Sequence, residues 1–378
     1  MQKSPVHNSL LFQSLRVALG TQQGFFYEPS AEEWRATYLQ AGRQSLLGIC
    51  FYAIGLAYPD ADRRIPKELY LKWLYQAESI RSLNQRHYEL SRELTEKFKE
   101  QKVRTAILKG QANSRIYPDR FVRQTGDVDL WVDLNRADTV AALSRMGLLD
   151  NVQYSRHELT LPRTVFGAEV EIHFDYIQDC NNPFANKRIR RVLGGGLLKT
   201  GLVPEGFFVP SNKFALLMQL SHIRKHFIGL GVGLRQLVDY FALLQSASGS
   251  DRAEVSTLLK PLGLSRIASA VMWILAENLG LDERYWICAP DCYRGRILLQ
   301  ELLADGNFGK FAERRRGAVY LWWARNRLRA FRLLFFDFPE MSWYLLKYWA
   351  SFLRLMPERM AALKRTLKGA RKGTWKNR

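Results

Sequence analysis

Between residues 103 and 174 the hydrophobic period of the chain changes, and this change limits the available folds more than any bulk property. Residues 103–108 form a short apolar run with the length of a buried strand, ending at Lys109-Gly110. A short helix to Ile116 should follow, closed by Tyr117-Pro118-Asp119, because the residue before a proline leaves the helical region. Residues 128–132 read as a second strand led by Gly126-Asp127, and 137–146 as a helix ending at Gly147. Residues 158–161 and 168–174 read as two strands of a hairpin that turns around 163–167. Such an order makes one small sheet with helices against it.

The flanks carry a helical period. Ser30-x-x-Glu33 is a capping box and predicts a helix from there to about residue 56, stopped by Tyr58-Pro59-Asp60. A longer, charged helix is expected over 67–102, where Leu71, Leu74, Ala77, Ile80, Leu83 and Leu90 recur mostly at three- and four-residue steps. These helices carry no visible chemistry and read as support. Beyond Pro210, helices are expected over 214–227, 234–245, 252–260, 266–279 and 294–303, with no repeat period. The expected fold is α+β, a small mixed β-sheet core at 103–209. An N-terminal helical region (1–102), a C-terminal helical domain (210–340) and a basic, aromatic tail (341–378) surround it.

Chemistry concentrates in Gly126-Asp127-Val128-Asp129-Leu130-Trp131-Val132. Side chains two apart on a strand share a face, so Asp127 and Asp129 project together. Two carboxylates this close repel unless a cation lies between them, and hard oxygen ligands suit Mg²⁺, with Mn²⁺ as the alternative. Alone, Asp-x-Asp is a weak signal that surface strands carry by chance. Val170-Glu171-Ile172-His173-Phe174 adds a third carboxylate, with Glu171 and His173 on one face of a neighbouring strand. Three carboxylates on adjacent strands can bind two ions, one for an acceptor oxygen and one for a triphosphate. Upstream, Lys109-Gly110-Gln111 makes a strand-to-helix junction where free N–H groups and a lysine favour phosphate. Arg123 is a second candidate for phosphate, or a surface residue.

These spaced motifs, Leu108-Lys109-Gly110, Tyr117-Pro118-Asp119, Arg123 and Asp127-Val128-Asp129-Leu130, resemble the uncharacterised nucleotidyltransferase family of the polymerase-β-like superfamily. His157-Glu158-Leu159 and Val170-Glu171-Ile172-His173 resemble its next two strands. His222-x3-His226-Phe227, Gly231-Val232-Gly233-Leu234-Arg235-Gln236 and Asp239 resemble its helical segment. The resemblance implies the fold, a divalent metal at Asp127, Asp129 and Glu171, and transfer of a nucleoside monophosphate from an NTP such as ATP. It leaves the acceptor open among glycan, protein, small molecule and RNA. Two departures stand out: Gln111 follows Gly110 where the superfamily has serine, and the third carboxylate is Glu where Asp is commoner.

His222 and His226 share a helix face. Either they line an acceptor pocket with Arg235 and Asp239, or they belong to a packing network that holds the helices on the sheet. Ile223 and Arg224 between them supply no general base, which excludes a His-Glu-x-x-His zinc site. His157 and His173 lie nearer the expected active site. Four cysteines, Cys50, Cys180, Cys288 and Cys292, give no paired zinc spacing.

No apolar run is long enough to span a bilayer, and Gln13 and Arg16 interrupt any leader-like segment, so a cytoplasmic protein is expected. The net charge of +20 is uneven: residues 313–378 hold 17 Lys and Arg against 4 Asp and Glu. Such a tail can meet an anionic membrane or a polyanion, or simply present a solvated surface, and Pro357 should interrupt its helix. Beside the enzyme stand two other readings: a non-catalytic nucleotide-binding protein of the same fold, and a nucleic-acid or membrane-surface binder driven by the tail.

Overall fold

The structure, a computed structural model, describes residues 9–155, 157–174, 180–194, 199–229, 231–307 and 319–373. It opens with helices α1 (Leu10–Ala18), α2 (Ala31–Gln44), α3 (Leu47–Ala57), α4 (Ala61–Arg64) and the 34-residue α5 (Lys67–Glu100). Next come β1 (Thr105–Ile107), α6 (Gln111–Ser114), β2 (Val128–Val132), α7 (Arg136–Arg145), β3 (Gln153–Tyr154) and β4 (Glu158–Leu161). The section ends with α8 (Arg163–Phe166), β5 (Val170–His173), α9 (Pro183–Gly194), β6 (Thr200–Leu202) and β7 (Phe208–Pro210). Seven helices follow: α10 (Asn212–Ile228), α11 (Leu234–Ser246), α12 (Gly249–Leu259), α13 (Ser265–Leu279), α14 (Cys292–Asp305), α15 (Val319–Leu334) and α16 (Phe338–Gly373).

Five strands form a mixed sheet in the order β1-β2-β5-β4-β3. Strands β2 and β5 run parallel, and every other pair is antiparallel. The alternation of the sequence decides the two faces. Val128, Leu130, Val132, Leu159, Leu161, Val170 and Ile172 are buried together with Leu90, Leu94 and Phe98 of α5 and Ala142 and Leu143 of α7. The opposite face carries Asp129, Glu158, Thr160, Glu171 and His173. The fold is therefore α+β with a small mixed sheet.

A second, larger core joins the two ends of the chain. Leu11, Leu15 and Trp34 lie in one cluster with Leu216, Phe241, Val271 and Leu275, so the N-terminal and C-terminal helices bury their apolar faces against each other. Helix α5, about 50 Å long at 1.5 Å per residue, serves both cores. Trp73 and Ile80 enter the larger one, and Tyr88, Leu90, Leu94 and Phe98 the sheet core.

Three local features differ from the sequence reading. The helix expected from residue 31 to 56 breaks at Ser45, which adopts a left-handed φ of 57°. The break directs α3 toward the segment before β2, where a Cβ on Gly48 would stand 2.4 Å from the Val122 carbonyl oxygen. Residues 200–210 form a separate two-stranded hairpin, β6–β7, that short alternation did not reveal. Helix α16 runs through Pro357, where an interruption was expected, carried by good helix formers such as Ala361, Ala362 and Leu363 beyond it. Among the described residues, no helix is long and apolar enough to cross a membrane.

Candidate active site

Parallel pairing of β2 with β5 sets Asp129 directly beside Glu171, and Trp131 beside His173. Antiparallel pairing of β4 with β5 then places Glu158 beside His173 and Thr160 beside Glu171. One sheet face thus gathers three carboxylates and an imidazole across three adjacent strands. Asp129 is 1% exposed and accepts from two cationic groups at its Oδ1: Lys109 Nζ at 3.0 Å and His173 Nε2 at 3.0 Å. His173 also meets Glu158 through Nδ1 at 3.2 Å and Glu171 through Nε2 at 3.5 Å.

These contacts separate the carboxylates electrostatically. Burial alone would raise Asp129, but the Lys109 charge and the His173 hydrogen bond outweigh it and hold Asp129 below the usual carboxylate range. Glu171 moves the other way. Burial, reinforced by the charges of Asp129 and Asp127, pushes it up to about 7 against the His173 hydrogen bond. Burial opposes the charge on His173, yet its bonds to Asp129 and Glu171 raise it to about 9. Lys109 rises as well, because the surrounding carboxylates overcome its burial. The face is a compact ionic cluster in which Lys109 and His173 supply positive charge.

The cleft in front of this face is lined by Lys109, Gly110, Asp127 and Asp129 on the sheet side, and by Gln219, His222, Arg235 and Gln236 on the helical side. Gly110 has φ 64° and ψ −108°, a conformation that strains any residue with a Cβ, and this turn delivers Lys109 to Asp129. Helices α10 and α11 form the far wall. His222 and His226 pack with ring centroids 4.2 Å apart and planes tilted by 54°. Burial and the Lys109 charge lower both, His226 to about 3, so both imidazoles are neutral.

Two residues expected at the nucleotide are held by protein partners, and of these Arg123 still lines the cleft. Arg123 is buried in a bidentate pair with Asp239, Nε to Oδ1 at 2.7 Å and Nη2 to Oδ2 at 2.8 Å. Tyr117 donates to the same carboxylate at 2.7 Å. Asp239 thereby latches the loop before β2 onto α11, and it lines the cleft beside His222 and Arg235. Gln111 is fully buried, its amide 3.4 Å from Asn84 Oδ1 and 3.4 Å from Thr125 Oγ1, and it does not line the cleft. Arg235 does line it. Its Nη1 donates to the Gln124 carbonyl at 2.8 Å, and its buried Nε has no hydrogen-bond partner among the described residues. His157 sits at the start of β4, its backbone N–H 3.3 Å from Ser155 Oγ. Its neighbour Glu158 is the residue that reaches the site.

Sequence reasoning missed Glu158 and a supporting row on α5. Asn84 donates to the carbonyls of Phe121 (2.8 Å) and Arg123 (2.6 Å), and His87 Nδ1 pairs with Thr125 Oγ1 at 2.8 Å. Burial lowers His87 to about 4, so it acts as a neutral partner. These bonds fix the loop that carries Asp127. The available signal was polar residues at Asn84, His87 and Ser91, spaced three and four apart on the buried stripe of a helix.

A small mixed sheet with acidic groups paired across its central strands, closed by a helical wall, is the arrangement expected of a nucleotidyltransferase. The chain belongs to the uncharacterised nucleotidyltransferase family, whose model matches residues 30–280. No curated protein matches it. Among solved structures it is similar to an antigenic nucleotidyltransferase-like protein from Paracoccidioides brasiliensis, at 16% identity over 48% of this chain and 93% of the other. The TM-score of 0.31 makes that likeness too loose to define a shared fold.

Proposed function

We propose that the chain is a divalent-metal-dependent nucleotidyltransferase. It moves a nucleoside monophosphate from an NTP, with ATP the first candidate, to a hydroxyl or phosphate oxygen of an acceptor and releases pyrophosphate. The observation that carries this reading is Asp129, which lines a cleft together with Asp127 and Lys109 and is paired in register with Glu171 on the neighbouring strand.

The donor set fits a divalent cation. Asp129, Glu171 and His173 each offer one ligand atom, and these atoms lie within 4.8 Å of one another. Oxygen-rich sites of this kind take Mg²⁺ or Mn²⁺. Asp127, Asp129 and Glu171 would hold the ion, and Glu158 fixes His173 through Nδ1 so that Nε2 faces the carboxylates. The bound ion would neutralise charge on the triphosphate as the bond to the leaving group breaks.

The chain's own groups perform the rest. Lys109 supplies a buried positive charge next to the carboxylates, and Arg235 supplies another on the opposite wall, so the triphosphate enters a cleft with cations on both sides. Glu171, as the carboxylate present near its raised pKa of about 7, takes the proton of an acceptor hydroxyl. The acceptor oxygen bonds to the α-phosphorus while the bridge to the β-phosphorus breaks, and pyrophosphate leaves with the electron pair. The far wall around His222 and Arg235 is the surface left for the acceptor. Dependence on an NTP favours a cytoplasmic setting for the reaction.

The decisive experiment incubates the protein with each α-³²P-labelled NTP, Mg²⁺ or Mn²⁺, and separate glycan, protein, RNA and small-molecule fractions. Label entering one fraction with wild type and not with Asp129→Asn supports the proposal. Calorimetric binding of an NTP without label transfer to any fraction would leave a non-catalytic nucleotide-binding protein. No binding of any NTP would overturn both.

A further inference from the structure

Exposed large hydrophobic residues are scattered over the described surface, Tyr75, Leu202 and Leu39 among them, but a run of them falls on α15 and α16. Leu328, Phe331 and Phe335 of α15 and the turn after it are 71%, 54% and 73% exposed, and Phe338 at the start of α16 is 66% exposed. Along α16, Leu346, Leu353 and Met356 are 58%, 62% and 45% exposed. On α15 the three outward residues fall within an arc of about 60° at 3.6 residues per turn, and those on α16 within about 80°. Neither stripe results from a loosely docked helix. The inner side of α15 buries Ala330, Leu333 and Phe336, and Arg329 locks it to Glu301 at 2.6 Å. Glu340 of α16 accepts from the backbone of Asn181 and Asn182 at 2.5 and 3.1 Å. The two helices are anchored on one side and present aliphatic and aromatic groups on the other.

Charge identifies the occupant. Residues 319–373 contain 12 Lys and Arg against 3 Asp and Glu. Two of those acids, Asp337 and Glu340, are buried, as is one of the bases, Arg327. Arg332 flanks the outward arc of α15, about 40° from Leu328, and is itself more than half exposed, while one of its nitrogens reaches Glu301. A second copy of the chain would bring this positive surface against itself. A nucleic acid would match the charge and could stack on Phe335 or Phe338, but it would leave the aliphatic Leu328, Leu346, Leu353 and Met356 in water. An anionic bilayer matches both properties, since its headgroups attract the arginines and its acyl region receives the apolar stripe.

We propose that the outer face of α15 and α16 is a peripheral membrane-docking surface for anionic lipid bilayers, with the Phe335–Phe338 corner as its deepest point. The corner projects where the chain turns between the helices, so both rings can enter the headgroup boundary without disturbing the packed side. Phe336, between them, packs instead on Phe227 of α10, ring centroids 4.8 Å apart. The docked surface is thereby fixed to the helix that forms a wall of the cleft.

The test is flotation of the full-length protein with vesicles of phosphatidylcholine alone and of phosphatidylcholine mixed with phosphatidylglycerol. Wild type should float with the mixed vesicles and stay behind with the neutral ones. About 0.5 M salt, which shortens the screening length to a few ångströms, should weaken binding. The paired variants Phe335→Ser with Phe338→Ser, and Leu346→Ser with Leu353→Ser, should each lower partitioning by at least about tenfold. Their melting temperatures should match wild type, because all four residues are exposed. Failure of wild type to float with either vesicle, or equal flotation of both variants, overturns the proposal. A dimer seen by sedimentation equilibrium and lost in the Phe335/Phe338 variant, without vesicle binding, assigns the face to a second copy. RNA binding lost in that variant, again without vesicle binding, assigns it to a polyanion.

Discussion

The carboxylate face of the sheet and the outer corner of α15 and α16 reverse the ordinary distribution of side chains in opposite ways. On the sheet, Asp129, His173 and Lys109 are taken out of water although each carries charge. At the corner, Phe331, Phe335 and Phe338 remain in water although none has a polar atom to offer it. Neither arrangement serves stability alone. A buried ion pair is tolerated only when every partner is in place, and an exposed apolar patch is uncommon unless something covers it. The difference lies in what each region lacks. The sheet face carries its own counter-charges in Lys109 and His173. The corner has no internal substitute, and its apolar groups await an external surface.

Asp129→Asn should give the largest effect and separates the two regions most sharply. The substitution keeps the shape of the side chain and removes its charge. The structure adds that an amide in place of this carboxylate would leave Lys109 and His173 buried without their shared anion. Nucleotidyl transfer should fall by at least about a thousandfold, and urea unfolding should show a loss of about 3–5 kcal/mol. Unchanged stability would mean that the ionic cluster is not formed in solution.

Glu171→Gln tests the other half of the same face with the opposite sign. Transfer should drop by about a hundredfold or more, while stability should rise. The folded-state value of Glu171 is about 7, above the ordinary 4.5. Ionising it therefore costs stability progressively as pH rises from about 4.5 to 7. In EDTA above pH 7 the variant should exceed wild type by about 1–3 kcal/mol in urea unfolding. A variant less stable than wild type there would show that Glu171 is a structural anion.

His173→Gln sharpens the picture through pH. With His173 raised from 6.5 to about 9 in the fold, its contribution is fully present below pH 6.5 and is lost as pH rises through 9. The advantage of wild type over the variant, measured by chemical unfolding in EDTA, should shrink by about 2–3 kcal/mol across that window. A pH-independent difference would assign His173 a packing role only.

The smallest effect is expected at the corner. Phe335→Ser with Phe338→Ser should leave label transfer to a small acceptor unchanged and shift stability by no more than about 0.5 kcal/mol per site. A large loss in either measurement would place the corner inside the folded core and remove the contrast between the two regions.

The sheet and its acidic pairs were legible in the sequence because their signals are local. Alternation over 170–173 puts Glu171 and His173 on one face, and Asp127 and Asp129 announce themselves at a spacing of two. The unseen features depend on distant partners. Arg123 looked like a phosphate ligand because its counter-ion, Asp239, lies 116 residues away. Glu158 was passed over because only pairing with β5 brings it to His173. The break at Ser45 follows from the approach of Gly48 to Val122, which no local propensity encodes. On α16, Pro357 carried a strong local signal that the neighbouring residues overrode.

Helix α5, which passes through both cores, has a consequence for anyone hoping to borrow this chemistry. The sheet, excised at 103–209, would lose Leu90, Leu94 and Phe98 beneath its apolar face and Asn84 and His87 behind the loop of Asp127. It would also lose Asp239, the anchor of that loop's other side. The reactive face is thus not a portable cassette. Its alignment is borrowed from a helix before it in the chain and another after it, so a grafted or circularly permuted version must carry both.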